Sequence, residues 1–185
     1  QKELCATCHD TGELAKKTTR EASEPVKLHA PVAEGNCSGC HDAHGSNIAG
    51  LVTRERADLC YSCHAQQKLS FAEGMVHDPV MKGSCDVCHT PHGSTGGGLR
   101  LKSEPELCTQ CHDLAKPPLD SAHAGYTVAG SQCSSCHAPH TSKQKNLLNP
   151  VVHSPFAEGD CESCHEGGKD ATGKMSAVAA DACMT

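Results

Sequence analysis

The chain has 185 residues, with 16 basic against 22 acidic side chains and a formal net charge of -6. That balance excludes a nucleic-acid backbone or a polybasic membrane contact as the main partner, since both demand clustered Lys and Arg. Aromatics are 2% of the chain, tryptophan is absent, and 15 cysteines sit inside the 37% hydrophobic share, so the side chains of an ordinary core are scarce.

Read in chain order, the local signals are few. Thr53 to Lys68 is predicted as a helix running through Cys60. Ser103-Glu-Pro-Glu106 has the capping-box pattern and predicts a short helix through Cys108 to about Leu114. Gly-Ser after His44 and His92, Ser94 to Gly98, and Pro117-Pro118 read as turns or loops. No strand pattern stands out, and the Ala-rich stretch 176–182 predicts one more short helix. The expected fold class is irregular coil with short α-helices and little or no β-sheet.

One five-residue pattern, Cys-x-x-Cys-His, dominates everything else. It recurs seven times: Cys5, Cys8 and His9; Cys37, Cys40 and His41; Cys60, Cys63 and His64; Cys85, Cys88 and His89; Cys108, Cys111 and His112; Cys133, Cys136 and His137; Cys161, Cys164 and His165. This is the attachment signature of c-type haem. Two thiols three positions apart share a face of a helical turn and can reach the two vinyl groups of a porphyrin, and the adjacent histidine supplies an imidazole to the iron. Zinc pairs and redox pairs also use Cys-x-x-Cys, but neither requires the histidine. A disulfide framework explains the cysteines and leaves seven histidines to coincidence. Seven haems would supply the apolar core that the side chains lack, and without them the chain is expected to be unfolded. Ferric irons and propionates together would bring the formal charge to about -13.

Seven further histidines remain, and they recur at fixed offsets. His29-Ala-Pro-Val-Ala-Glu-Gly-Asn-Cys37 matches His77-Asp-Pro-Val-Met-Lys-Gly-Ser-Cys85 and His153-Ser-Pro-Phe-Ala-Glu-Gly-Asp-Cys161, and His123 precedes Cys133 in a version two residues longer. Three more, His44, His92 and His140, trail the second motif of each pair by three positions. The period is 48 residues, from Cys37 to Cys85 to Cys133. It divides the chain into a single haem-cored array of units at approximately 1–50, 51–98 and 99–145, a shortened unit at 146–175 and the start of another at 176–185. Each full unit holds a first motif, a leading histidine, a second motif and a trailing histidine. That stoichiometry predicts two imidazoles per iron. The shortened unit lacks both its first motif and its trailing histidine. Their joint loss predicts that the trailing histidine serves the first haem of its own unit: His44 the haem on Cys5 and Cys8, His92 that on Cys60 and Cys63, His140 that on Cys108 and Cys111. The leading histidines would serve the second haem: His29 with Cys37 and Cys40, His77 with Cys85 and Cys88, His123 with Cys133 and Cys136, His153 with Cys161 and Cys164. A trailing histidine that reaches the next unit is the open alternative. Ala-Asp-Ala-Cys183 resembles the approach to a first motif, which predicts a piece of a longer repeat protein; a natural end with one free cysteine is the other reading.

These motifs, His-x-Pro-Val-x-x-Gly-x-Cys-x-x-Cys-His-x-Pro-His-Gly-Ser alternating with Leu-Cys-x-x-Cys-His, resemble the doubled-motif family of multihaem c-type cytochromes over nearly the whole chain. The resemblance implies electron transfer, with redox proteins or neighbouring cytochrome subunits as partners and with extracellular minerals or a homopolymeric filament as further settings. Attachment of haem to this motif takes place outside the cytoplasm in prokaryotes, so the expected location is the periplasm, the outer surface or beyond. No transmembrane segment and no catalytic residue is expected, because two imidazoles per iron leave no open face. A multihaem oxidoreductase with one open haem, acting on nitrogen oxides for example, is the rival reading.

Overall fold

The computed structural model describes residues 2–10, 13–14, 24–123, 126 and 128–160. The seventh motif, formed by Cys161, Cys164 and His165, and the expected helix at 176–182 lie outside the described residues. The chain forms two compact units: residues 1–103 with 139–143, and residues 104–138 with 144–185. Both are mostly irregular backbone with short helices, as the composition predicts.

The first unit holds helices Lys2–Ala6, Ala30–Ala33, Arg56–Tyr61, Ala65–Phe71 and Asp78–Met81. The single helix expected over Thr53 to Lys68 is two, because the motif itself interrupts it. His64 stands at φ -95°, ψ 44° between them, outside helical geometry. Four two-residue strands, β1 (Lys27–Leu28), β2 (Met75–Val76), β3 (Gly93–Ser94) and β4 (Thr141–Ser142), form two antiparallel ladders in this unit. β1 pairs with β3, Lys27 opposite Ser94, and β2 pairs with β4, Met75 opposite Ser142. The Gly-Ser that follows His92, read as a turn, is therefore a strand. A two-residue strand is too short to show alternation in a sequence.

In the second unit the helices are Glu106–Thr109, Leu119–Ala122 and Ser154–Glu158. The helix through Cys108 ends at Thr109, short of the expected Leu114. Its N-cap is Pro105, with no side chain capping it. Glu104, inside the supposed capping box, instead accepts a 2.8 Å hydrogen bond from the Ser134 amide.

No leucine, isoleucine, valine, methionine or phenylalanine is buried among the described residues. The largest fully buried side chain is Ser94, while Leu69, Met81 and Phe156 are exposed. The described residues alone enclose no hydrophobic core, which leaves the organising role to what the cysteines and histidines hold.

Candidate haem-iron ligand pairs

Each described motif folds as one tight turn. The amide of its histidine donates to the carbonyl of its first cysteine at 2.9–3.0 Å in His9, His41, His64, His89, His112 and His137. The amides of the second cysteines, Cys8, Cys40, Cys63, Cys88, Cys111 and Cys136, donate to the same carbonyls at 3.2–3.3 Å. The motifs come in two kinds. Cys5, Cys60 and Cys108 ride in α-helices, whereas Cys37, Cys85 and Cys133 open 3-10 turns. In the helical kind the first thiol is half-buried and the second, Cys8, Cys63 or Cys111, is exposed. In the other kind Cys40 and Cys88 are half-buried as well, and Cys136 is exposed. Cys161, Cys164 and His165 form the one motif whose attachment geometry falls outside the described residues.

In the second kind, the imidazole is fixed from behind. His41 Nδ1 lies 2.7 Å from the Gly50 carbonyl, His89 Nδ1 2.8 Å from Gly98, and His137 Nδ1 3.0 Å from Asn146, always nine residues on. A carbonyl can only accept, so Nδ1 carries the proton and Nε2 keeps a free lone pair, the tautomer a metal needs. The residue giving that carbonyl has a positive φ each time: 77° at Gly50, 67° at Gly98 and 58° at Asn146. Glycine or asparagine tolerates that backbone conformation.

The leading histidines are fixed in the same manner. His29 Nδ1–H donates to the Pro91 carbonyl and His77 Nδ1–H to the Pro139 carbonyl, both at 2.9 Å and both 62 residues ahead. Their amides donate to the carbonyls of His92 and His140 at 2.9 and 3.0 Å. Both cap a short helix with proline in its first turn. His123 differs. It ends the helix Leu119–Ala122, and its Nδ1 lies 2.8 Å from the Leu119 carbonyl.

Among the described residues four pairs of imidazoles stand close together. His29 stands 6.1 Å from His64 between ring centres, His41 6.0 Å from His92, and His89 5.9 Å from His140, with ring planes within 13–18°. His123 stands 6.2 Å from His137 with the planes 76° apart. Every pair joins one motif histidine to one spare histidine. Two metal–imidazole bonds of about 2 Å in line, with half a ring at either end, span about 6 Å. The residues therefore fit an iron between each pair.

Three of these pairs correct the partners expected from the sequence. His29 faces His64, of the motif with Cys60 and Cys63, rather than His41. His92 faces His41, of the motif with Cys37 and Cys40, rather than His64. His140 faces His89, of the motif with Cys85 and Cys88, rather than His112 of the motif with Cys108 and Cys111. The reason is the ladder between β1 and β3, which locks His29 and His92 side by side while drawing them from different repeats. The rings are thus exchanged between repeats: leading His29 stands against the motif histidine of the next repeat, and trailing His92 and His140 against those of the previous one. His77, expected for the haem on Cys85 and Cys88, loses that place in turn, since His140 faces His89. The fifth such expectation, His44 for the haem on Cys5 and Cys8, finds no support either, since His44 and His9 are not brought together. His123 facing His137 is the pairing expected for that histidine.

Burial lowers the pKa of His92, with His41 and His29 adding to the effect, and of His140, with His89 and His77 adding. Phe71 packs on His140 at 4.9 Å between ring centres. The first thiols of successive motifs also meet. A hydrogen bond with Cys37 raises the pKa of Cys5, and burial followed by Cys85 pushes Cys60 up to about 11. Burial and then Cys63 raise Cys40. Cys108, Cys133 and Glu104 bring their ligand atoms within 4.8 Å of one another. Because both cysteines belong to motifs, this cluster is the same thiol–thiol approach and not a separate metal centre. His153 caps the helix Ser154–Glu158 and lines a cleft with Cys136, Val152 and Phe156. His9, His44 and His112 are exposed.

Covalent attachment motifs, paired imidazoles and a scarcely cored coil define a multihaem c-type cytochrome, a protein that transfers electrons. The family model described as the doubled CXXCH motif matches residues 29–69, 77–117 and 126–151, more than half of the chain, and the chain belongs to that family. It is 36% identical over 67 residues to the multiheme cytochrome MtrA of Shewanella baltica (strain OS185), covering 36% of this chain and 18% of that protein. It is 29% identical over 75 residues to the cytochrome c-type protein NrfB of Haemophilus influenzae (strain ATCC 51907 / DSM 11121 / KW20 / Rd), covering 40% of this chain and 30% of that protein. The matches thus span less than a third of either relative. No described helix is long and apolar enough to cross a membrane.

Proposed function

We propose that the chain binds seven covalently attached haems in single file and conducts electrons along them outside the cytoplasm. A c-type haem supplies a one-electron Fe(III)/Fe(II) couple when bound. The polypeptide does the rest. Fourteen cysteines, Cys161 and Cys164 of the seventh motif included, fix the porphyrin edges. Seven motif histidines, from His9 to His165, join the spare histidines in supplying two imidazoles to each iron, which leaves no face for a substrate. The backbone carbonyls of Gly50, Gly98, Asn146, Pro91, Pro139 and Leu119 hold Nδ1 protons and so orient the rings and raise their basicity, which favours the ferric state and tunes each site. The approach of Cys5 to Cys37, Cys40 to Cys63, Cys60 to Cys85 and Cys108 to Cys133 supports an order of sites that follows the chain.

The single observation that carries this reading is that all four ring pairs join a motif histidine to a spare one at about 6 Å. Closed irons favour a carrier that serves redox proteins or neighbouring cytochromes over an enzyme. Mass spectrometry of the mature protein is expected to show seven haem additions. Electron paramagnetic resonance of the oxidised protein is expected to be low-spin throughout. A high-spin ferric signal from intact protein would sink the closed-iron reading and favour a catalytic site instead.

A further inference from the structure

We propose that Glu104 holds down the reduction potential of the haems attached at Cys108 and Cys133, a control that the sister junction at Cys60 and Cys85 lacks. The inference rests on the carrier reading above and adds to it an uneven hold on electrons from haem to haem. The two junctions are built alike, 48 residues apart in the chain. In each, the first thiols of two motifs approach one another. A side chain four residues before the first of those cysteines then reaches the residue just after the second, 30 residues on. What differs is the charge. At one junction Arg56 meets Asp86 at 2.9 Å, and the two sum to zero. At the other the same positions carry Glu104 and Ser134, and the Ser134 amide donates to the carboxylate at 2.8 Å. A contact that is neutral in one repeat is anionic in the next.

Placement decides how far that charge is felt. A Glu104 carboxylate oxygen and the Cys108 and Cys133 sulfurs lie within 4.8 Å of one another, and all three residues are half-buried. Those sulfurs are the atoms that bond the porphyrin edges, so the carboxylate stands at the attachment edge of two haems. Counting the neighbours leaves the difference in place. Lys102 and Glu106, both half-buried, are opposite in charge, as Arg54 and Asp58 are in the sister repeat. Glu55, where the later repeat has Ser103, caps the helix Arg56–Tyr61 and is exposed, as are Arg54, Arg56, Asp58 and Asp86. Water and salt screen exposed charges and screen half-buried ones much less. A ferric haem carries one positive charge more than a ferrous one. A fixed anion at its edge therefore favours Fe(III) and lowers the potential.

The test is a redox titration of residues 1–185 with haem attached, followed by electron paramagnetic resonance. The crossed rings of His123 and His137 give the haem on Cys133 a broad resonance at high g, apart from the rhombic lines of the near-parallel pairs. Glu104→Gln is expected to move the titration of the broad resonance to higher potential. The expected shift is on the order of tenfold in the Fe(II)/Fe(III) ratio at fixed potential, or about 59 mV for one electron. The bulk of the rhombic signal, from His29–His64, His41–His92 and His89–His140, should stay in place. Glu104→Asp keeps the charge and should move the broad resonance much less. An unmoved broad resonance in Glu104→Gln would overturn the proposal. So would equal shifts in the two variants, or a shift of the broad and rhombic signals together. Loss of the broad resonance from seven-haem Glu104→Gln would overturn it too, by making the carboxylate a brace for the Ser134 turn. None of these outcomes touches the carrier reading, which fails separately, on a high-spin ferric signal in the wild type.

Discussion

Residues 24–103 with 139–143 and residues 104–138 with 144–160 use the same motifs but close them differently. In the first region every ring pair crosses between repeats, and the planes lie within 13–18°. In the second, His123 and His137 of one repeat close on each other with planes 76° apart. The shortened repeat explains the contrast. Its missing first motif would have taken His123, and its missing trailing histidine would have served His137. Each loss strands one partner, and the two left over meet. The longer spacer before Cys133 and the seating of His123 at the end of a helix, rather than at the start of one, make that meeting possible.

The severest way to break the comparison is to remove the cofactor from both regions. Chain made without haem attachment is expected to lose its secondary structure wholly, and a cooperative melt by circular dichroism would refute that. Substituting ligands sharpens the contrast. His29→Ala is expected to give one high-spin haem, and the signal should vanish when Cys60 and Cys63 are also replaced by serine. If it vanishes instead with Cys37 and Cys40, the exchange between repeats is wrong. His123→Ala should remove a different signal. Crossed imidazole planes leave two iron orbitals nearly degenerate and give one broad resonance at high g, whereas near-parallel planes give a three-line rhombic spectrum. Loss of the rhombic lines on His123→Ala would reverse the assignment.

Smaller effects probe the ladder that holds the first region. Gly74 has φ 84°, and a Cβ there would lie 2.5 Å from the Ser142 carbonyl on β4. Gly74→Ala is expected to cost about 2 kcal/mol or more in chemical denaturation. Gly98, at φ 67° with open space around it, should cost only about 1 kcal/mol on the same substitution. Equal costs would mean that the ladder contributes nothing. The exposed Arg56–Asp86 ion pair, 2.9 Å apart, should give a coupling below about 1 kcal/mol in a double-mutant cycle and weaken with salt.

The doubled haem-attachment motif was legible in the sequence because its chemistry demands a fixed local spacing. So was the scarcity of core side chains, which the exposure of Leu69, Met81 and Phe156 bears out. The partners of His29, His92 and His140 were not legible for a physical reason. A 48-residue period looks the same whether a histidine serves its own repeat or the neighbour, and only a contact across repeats breaks that symmetry. Here the contact is a ladder of two residues, Lys27 and Leu28 against Ser94 and Gly93, too brief to leave a pattern. The helix over Thr53 to Lys68 failed because the motif turn at Cys63-His64 outweighs helix propensity on both sides.

The exchange also gives the chain a topology. With an iron in each ring pair, as proposed, the loop from His29 to His64 would begin before His41 and end inside the loop from His41 to His92, and that loop in turn would overlap the one from His89 to His140. Overlapping closures cannot be opened one at a time from the outside. A single protease cut anywhere between residues 41 and 140 would leave the two fragments tied together by at least one iron, so nicked protein should migrate as one body until its ligands are displaced.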